Sequence, residues 1–209
     1  MVIVFTDRRQ ARRPLVDTVG AAVDGGARVV VLREKDLPDD ERAALAARLH
    51  AVLAPAGARL LLAGRTPGPD GQHLAAADPW PAVPRGLVGR SCHDADELGR
   101  AAAEGAAYAT LSPVFATRSK PGYGPPLGLD RLRDLCAGAG LPVYALGGVE
   151  TPEQARACVE AGAAGVAVMG AVMRADDPAR VAAGLLSRAS LSPPTRLWGR
   201  PTQQQGRIA

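Results

Sequence analysis

The residues most able to do chemistry sit at the ends of short apolar runs. In "RVVVLREK" three valines and a leucine are followed by Arg33, Glu34 and Lys35. Strand periodicity of two puts Val31, Arg33 and Lys35 on one face. Two cations there either hold an anion or form a solvated charge run; their place at the end of a buried strand favours the anion. In "GRSCHDADEL", Ser91 and His93 share a face and Cys92 points away, which argues against a Cys–His nucleophilic pair. His93 could exchange protons near neutral pH, or be structural. "YALGGVETPEQ" carries Gly147 and Gly148, and "VAVMGAV" carries Gly170. Paired glycines let backbone N–H groups approach an anion, so a phosphorylated ligand is expected here. The long segment "SPVFATRSKPGYGPPLG" adds Thr117, Ser119 and Lys120, two hydroxyls and a cation that suit either a plain loop or a cover over phosphate.

These groups need a frame that brings strand ends together. Eight apolar runs recur: "VIVFT", "RVVVL", "RLLLA", "GQHL", "LVGRS", "AYATL", "PVYAL" and "GVAVM". Near-continuous apolarity marks parallel strands buried on both faces. Between them, "DDERAALAARLHAVLAPAG", "DADELGRAAAEGA", "TPEQARACVEAG" and the stretch after "ADDP" read as helices. In the third, Thr151 is the expected N-cap, Pro152 the first helical residue and Gln154 the partner in a capping box. The alternation predicts an α/β protein, a single-domain (β/α)8 TIM barrel over residues 1–190. A doubly wound sheet would want glycines after the first strand, and "FTDRRQARRP" has none. "TPGPD" and "AAADPWPAVPRG" are too short or too proline-rich for helices, so outer helices 3 and 4 are expected to be short or missing.

The 209 residues are 47% hydrophobic and only 3% aromatic, so the core is built mainly from Ala, Val and Leu. No run is long enough to cross a bilayer and no secretory layout opens the chain, which predicts a soluble cytoplasmic protein without a membrane partner. The formal charge of +4 includes Arg196, Arg200 and Arg207 of the tail; without them it is +1. No basic stripe with aromatics suggests nucleic acid. The three widely spaced cysteines suggest neither a disulfide framework nor a metal site. Residues 191–209, rich in Pro and Gln, are expected to be a disordered tail.

Seven motifs in order, "FTDRR", "VVVLREK", "GQHLAAAD", "GRSCHDADEL", "SPVFATRSK", "YALGGV" and "GVAVMGAV", resemble the thiamine phosphate synthase and thiazole tautomerase family. The resemblance runs from about residue 2 to 189. It implies pyrophosphate contacts at Arg33, Lys35, Ser91 and Lys120. Thiazole phosphate contacts would fall on Thr117, Ser119, Gly148, Met169 and Gly170. A histidine of the pyrimidine pocket falls on His73, and one of two Mg²⁺ carboxylates on Asp78. Where synthases usually read Asn-Asp-Arg, this chain reads Ala63-Gly64-Arg65, and a typical glutamine is Val31. The pyrimidine side is therefore stripped and the phosphate side kept.

That pattern resembles the tautomerase branch, which implies a metal-independent thiazole tautomerase with no cofactor and His93 as general acid and base. The alternative is a thiamine phosphate synthase, which joins an aminopyrimidine methyl pyrophosphate to thiazole phosphate and uses Mg²⁺. A third reading is a non-catalytic barrel that binds a phosphorylated ligand. The expected partner is a small-molecule thiazole phosphate, and a homo-oligomer is open.

Overall fold

A computed structural model of the chain describes residues 1–118 and 124–187. Eight parallel strands close a barrel in sequence order: β1 (Val2–Phe5), β2 (Val29–Leu32), β3 (Arg59–Ala63), β4 (Gly71–Leu74), β5 (Leu87–Cys92), β6 (Tyr108–Leu111), β7 (Val143–Leu146) and β8 (Gly165–Val168). The last strand pairs with the first, Ile3 beside Ala167. Among the described residues the helices are α1 (Leu15–Asp24), α2 (Asp39–Leu53), α3 (Ala95–Glu104), α4 (Gly128–Gly138), α5 (Pro152–Glu160), the single turn α6 (Gly170–Met173) and α7 (Pro178–Ser187). The expected (β/α)8 architecture is the observed one. The expected tail lies outside the described residues.

Period-two alternation divides the core in two. Ile3, Phe5, Val29, Val31, Leu61, Ala63, Tyr108, Tyr144 and Ala167 fill the barrel interior. Val2, Val4, Val30, Leu32, Leu60 and Leu62 point the other way, into the layer shared with the helices. Cys92 belongs to that outer layer. Local chemistry sets the helix ends. The Asp94 side chain accepts from the Glu97 N–H, and Thr151 and Gln154 complete the expected capping box. Gly57, left-handed at φ 66°, follows a 3-10 turn that extends α2.

No helix lies between β3 and β4 or between β4 and β5, as the two proline-rich stretches imply. One buried cation replaces the second of them. Arg90 is 1% exposed, on the outer face of β5 where a helix would pack. Its Nη1 donates to the carbonyls of Ala75 (3.2 Å), Ala76 (3.0 Å) and Asp78 (2.8 Å). Its Nη2 lies 2.8 Å from Glu104 Oε2, an ion pair by distance without hydrogen-bond alignment. Trp80 covers the guanidinium, with its ring centroid 5.9 Å away. The charge thus collects three loop carbonyls that a helix would have bonded internally.

Arg90→Met should therefore lower stability by roughly 3 kcal/mol, because it orphans the Ala75 and Asp78 carbonyls and the Glu104 carboxylate, while Ala76 keeps its bond from Arg100 at 2.7 Å. Urea unfolding checks this; a loss under about 1 kcal/mol would mean that water replaces the guanidinium without difficulty.

Candidate active site

A cavity of about 540 Å³ opens at the C-terminal ends of the strands, within the range that encloses small ligands. Arg33, Lys35, His73, Ser91, His93, Thr117, Gly148, Met169 and Gly170 all line it, which gathers most of the sequence-derived candidates in one place. Ser119 and Lys120 lie outside the described residues. Asp78 does not line the cavity: its carboxylate accepts the Ala75 N–H at 2.8 Å and closes a turn.

The inner wall is a chain of hydroxyl, imidazole and hydroxyl. His73 Nδ1 is 3.0 Å from the Tyr108 hydroxyl, and Nε2 is 2.9 Å from Ser91 Oγ. The Phe5 ring meets the imidazole edge-on at 4.9 Å between centroids. Burial, with Lys35 and Arg90 adding repulsion, pushes the His73 pKa down to about 3. The ring is therefore neutral, with one donating and one accepting nitrogen. When the Tyr108 O–H donates to Nδ1, Nε2–H donates to Ser91. The serine O–H is then left to face an anion in the cavity.

The mouth is cationic on the β2 side. Arg33 reaches across the barrel until Nη1 is 3.5 Å from the Met169 sulfur, so two residues given separate ligand roles by sequence are in contact. Glu34 turns away, 4% exposed. It accepts from the Arg8 backbone N–H and the Arg8 guanidinium, both at 3.1 Å. Opposite, Gly147 and Gly148 have φ values of 95° and 70°. A Cβ on Gly148 would fall 2.4 Å from the Ala116 carbonyl oxygen. These glycines thus seat the segment after β6, whose Phe115 N–H donates to the Gly147 carbonyl at 3.0 Å.

His93 is held by Glu97, whose Oε2 accepts from the His93 backbone N–H at 2.7 Å and lies 2.9 Å from Nδ1. Two contacts to one carboxylate, from the backbone and from Nδ1, fix the orientation of the ring. Sequence reasoning missed Glu97. Its spacing of four from His93 at the start of a helix is the signal that could have found it. It also missed Asp7, Glu150 and Arg174, which line the cavity too.

The cavity offers few donors for Mg²⁺. Ala63 and Gly64 offer no side-chain oxygen, and Asp78 is committed to its turn. The Asp7 carboxylate accepts from the Arg9 N–H and from Gln10. Among the described residues no group of three His, Cys, Asp or Glu side chains could hold a metal. The residues present do not fit a metal held by protein carboxylates. At Gly64, φ is 105°, a conformation that disfavours an aspartate even though the space around it is open.

A closed (β/α)8 barrel with cations, glycine turns and a histidine gathered at its C-terminal mouth has the layout of a barrel enzyme with a small-molecule site. The chain belongs to the thiamine monophosphate synthase family, whose pattern matches residues 2–172, and is an enzyme of thiamine biosynthesis. It is 38% identical over 190 residues to the thiamine-phosphate synthase of Roseiflexus castenholzii, covering 85% of this chain and 83% of that one. With the thiamine-phosphate synthase of Moorella thermoacetica it shares 34% identity over 193 residues, 87% of this chain and 91% of the other. The solved thiamine phosphate pyrophosphorylase from Pyrococcus furiosus superposes with a TM-score of 0.77 at 28% identity, covering 90% and 94% of the two chains.

The pKa of His73 is lower in the folded protein than in the unfolded chain, where it is near 6.5. The folded state therefore binds fewer protons. The stabilisation from keeping this ring neutral is complete above about pH 6.5 and is lost as pH falls from there toward 3, at up to about 1.4 kcal/mol per pH unit. Urea unfolding at about pH 7 and about pH 5 should show this loss, and His73→Gln should reduce it. Equal losses in the two proteins would place the acid sensitivity elsewhere.

Proposed function

We propose that the chain is a thiamine-phosphate synthase, joining a pyrimidine methyl pyrophosphate to a thiazole phosphate. The observation that carries this reading is the presence of two anion-attracting regions in one cavity. Arg33, Lys35 and Ser91 line it from β2 and β5, and the glycine turns after β7 and β8 line it from the other strands. Two phosphorylated reactants, one of them a pyrophosphate, need two such regions. The names of the relatives agree with it.

In this reading the bond between the pyrimidine methylene carbon and the pyrophosphate oxygen breaks first. The electron pair leaves with pyrophosphate, where Arg33, Lys35 and the Ser91 hydroxyl stabilise the growing charge. The exposed methylene cation is then captured by the thiazole nitrogen, forming the new C–N bond. Neutral His73 orients Ser91 and adds no charge of its own beside the cation.

One observation favours a second reading, thiazole tautomerase. The His93–Glu97 pair is built as an oriented acid and base, and coupling has no evident proton for it to move. A single set of assays separates the readings. Protein, pyrimidine methyl pyrophosphate and thiazole phosphate are incubated with Mg²⁺ or with chelator, and thiamine phosphate is measured by chromatography. The synthase reading expects product, a drop of about a hundredfold or more in Lys35→Ala, and little change in His93→Ala. No product, where an authentic synthase makes it, rejects the coupling reaction. Isomerisation of a thiazole carboxylate phosphate that His93→Ala abolishes would establish the tautomerase instead.

A further inference from the structure

Arg174 has no place in either reading, yet it lines the cavity, with its guanidinium against Gly170 of the β8 turn. It sits one helical turn after Gly170 across α6, so its side chain runs back over that residue. The space it occupies exists because position 170 has no side chain. A Cβ there would fall 2.1 Å from Nη1 and 2.6 Å from both Cζ and Nη2. Two anchors fix the head group: Nη1 donates to Gln10 Oε1 at 2.5 Å, and Nη2 to Glu150 Oε1 at 2.7 Å. A guanidinium carries five N–H donors in a rigid plane. These contacts use one on each terminal nitrogen, and others remain for a ligand.

We propose that Arg174 is a side-chain ligand for the phosphate group held between the β7 and β8 turns, and that glycine at 170 is what seats it there. The inference rests on the reading that this side of the cavity takes a phosphorylated reactant. Gly170 then acts chiefly by vacating the volume into which the cation folds. Glu150, also on the cavity wall, partly neutralises and aims the guanidinium until a dianion competes for it.

The test measures Kd by calorimetry for a thiazole phosphate and for the same thiazole alcohol without phosphate. Wild type should prefer the phosphate. Arg174→Met should weaken phosphate binding by about ten- to a hundredfold and leave alcohol binding unchanged, the loss of one charge-assisted contact. Gly170→Ala, which leaves Arg174 in the chain but fills its seat, should produce a loss of the same kind. A wild type that prefers the phosphate together with an Arg174→Met variant that prefers it equally overturns the role of Arg174 alone. A wild type that binds both ligands equally overturns the phosphate subsite, and this inference with it. Should Arg174→Met bind neither ligand, Gly170→Ala decides: loss of the phosphate preference supports the proposal, and retention overturns it.

Discussion

The position of the Tyr108 ring is the constraint on which the site depends. The phenol crosses the barrel interior against β5, and a Cβ on Gly89 would fall 2.2 Å from its Cζ. Strand β5 must therefore be bare at that point. Tyr144 meets Tyr108 edge-on at 5.6 Å, so two rings close the barrel interior in a chain with only 3% aromatic residues. His73 stands on the Tyr108 hydroxyl and Ser91 on His73. Dense packing below thus fixes the direction of a hydroxyl at the cavity wall. The same burial keeps the imidazole neutral and raises the phenol well above its usual range.

Charge at the mouth is sorted by strand periodicity. Of Arg33, Glu34 and Lys35, the outer two line the cavity, and the middle one crosses to the segment after β1. There Arg8 is shared between Glu34 and Asp36, which draws the Asp36 carboxyl down to about 2. These nearby acids are thereby occupied with Arg8 and Arg9 rather than with the cavity cations. Arg42 does similar work lower down, donating to the carbonyls of Leu32 (3.2 Å) and Ala63 (2.6 Å) at the ends of β2 and β3.

The barrel was legible because eight apolar runs and their spacing leave few topologies open. Helices α3 and α5 announced themselves through Asp94 and Thr151. Helices α1 and α4 did not: they begin after Pro14 and Leu127, with no side-chain cap to mark them. Site residues at strand ends were legible by type and period. Arg90, Arg42 and Arg174 were not, since their partners are mainly carbonyls and acids that only the fold brings near. Gly170 illustrates the same limit. A glycine beside a strand end suggests backbone approach to an anion, whereas here it also makes room for a side chain four residues on.

The wall between β4 and β5 is held by two arginines, Arg90 and, through the Ala76 carbonyl at 2.7 Å, Arg100, rather than by a packed cylinder. A helix in that sector would have to match its neighbours in length, tilt and apolar stripe. A guanidinium asks only that a few carbonyls come within reach, whatever the length of chain between them. The length of the loop between β4 and β5 is thus not tied to a helix, as it is on the side where α1 packs on α2 and α7. One arc of the barrel is thus closed by polar contacts to a loop, and the other by helix against helix.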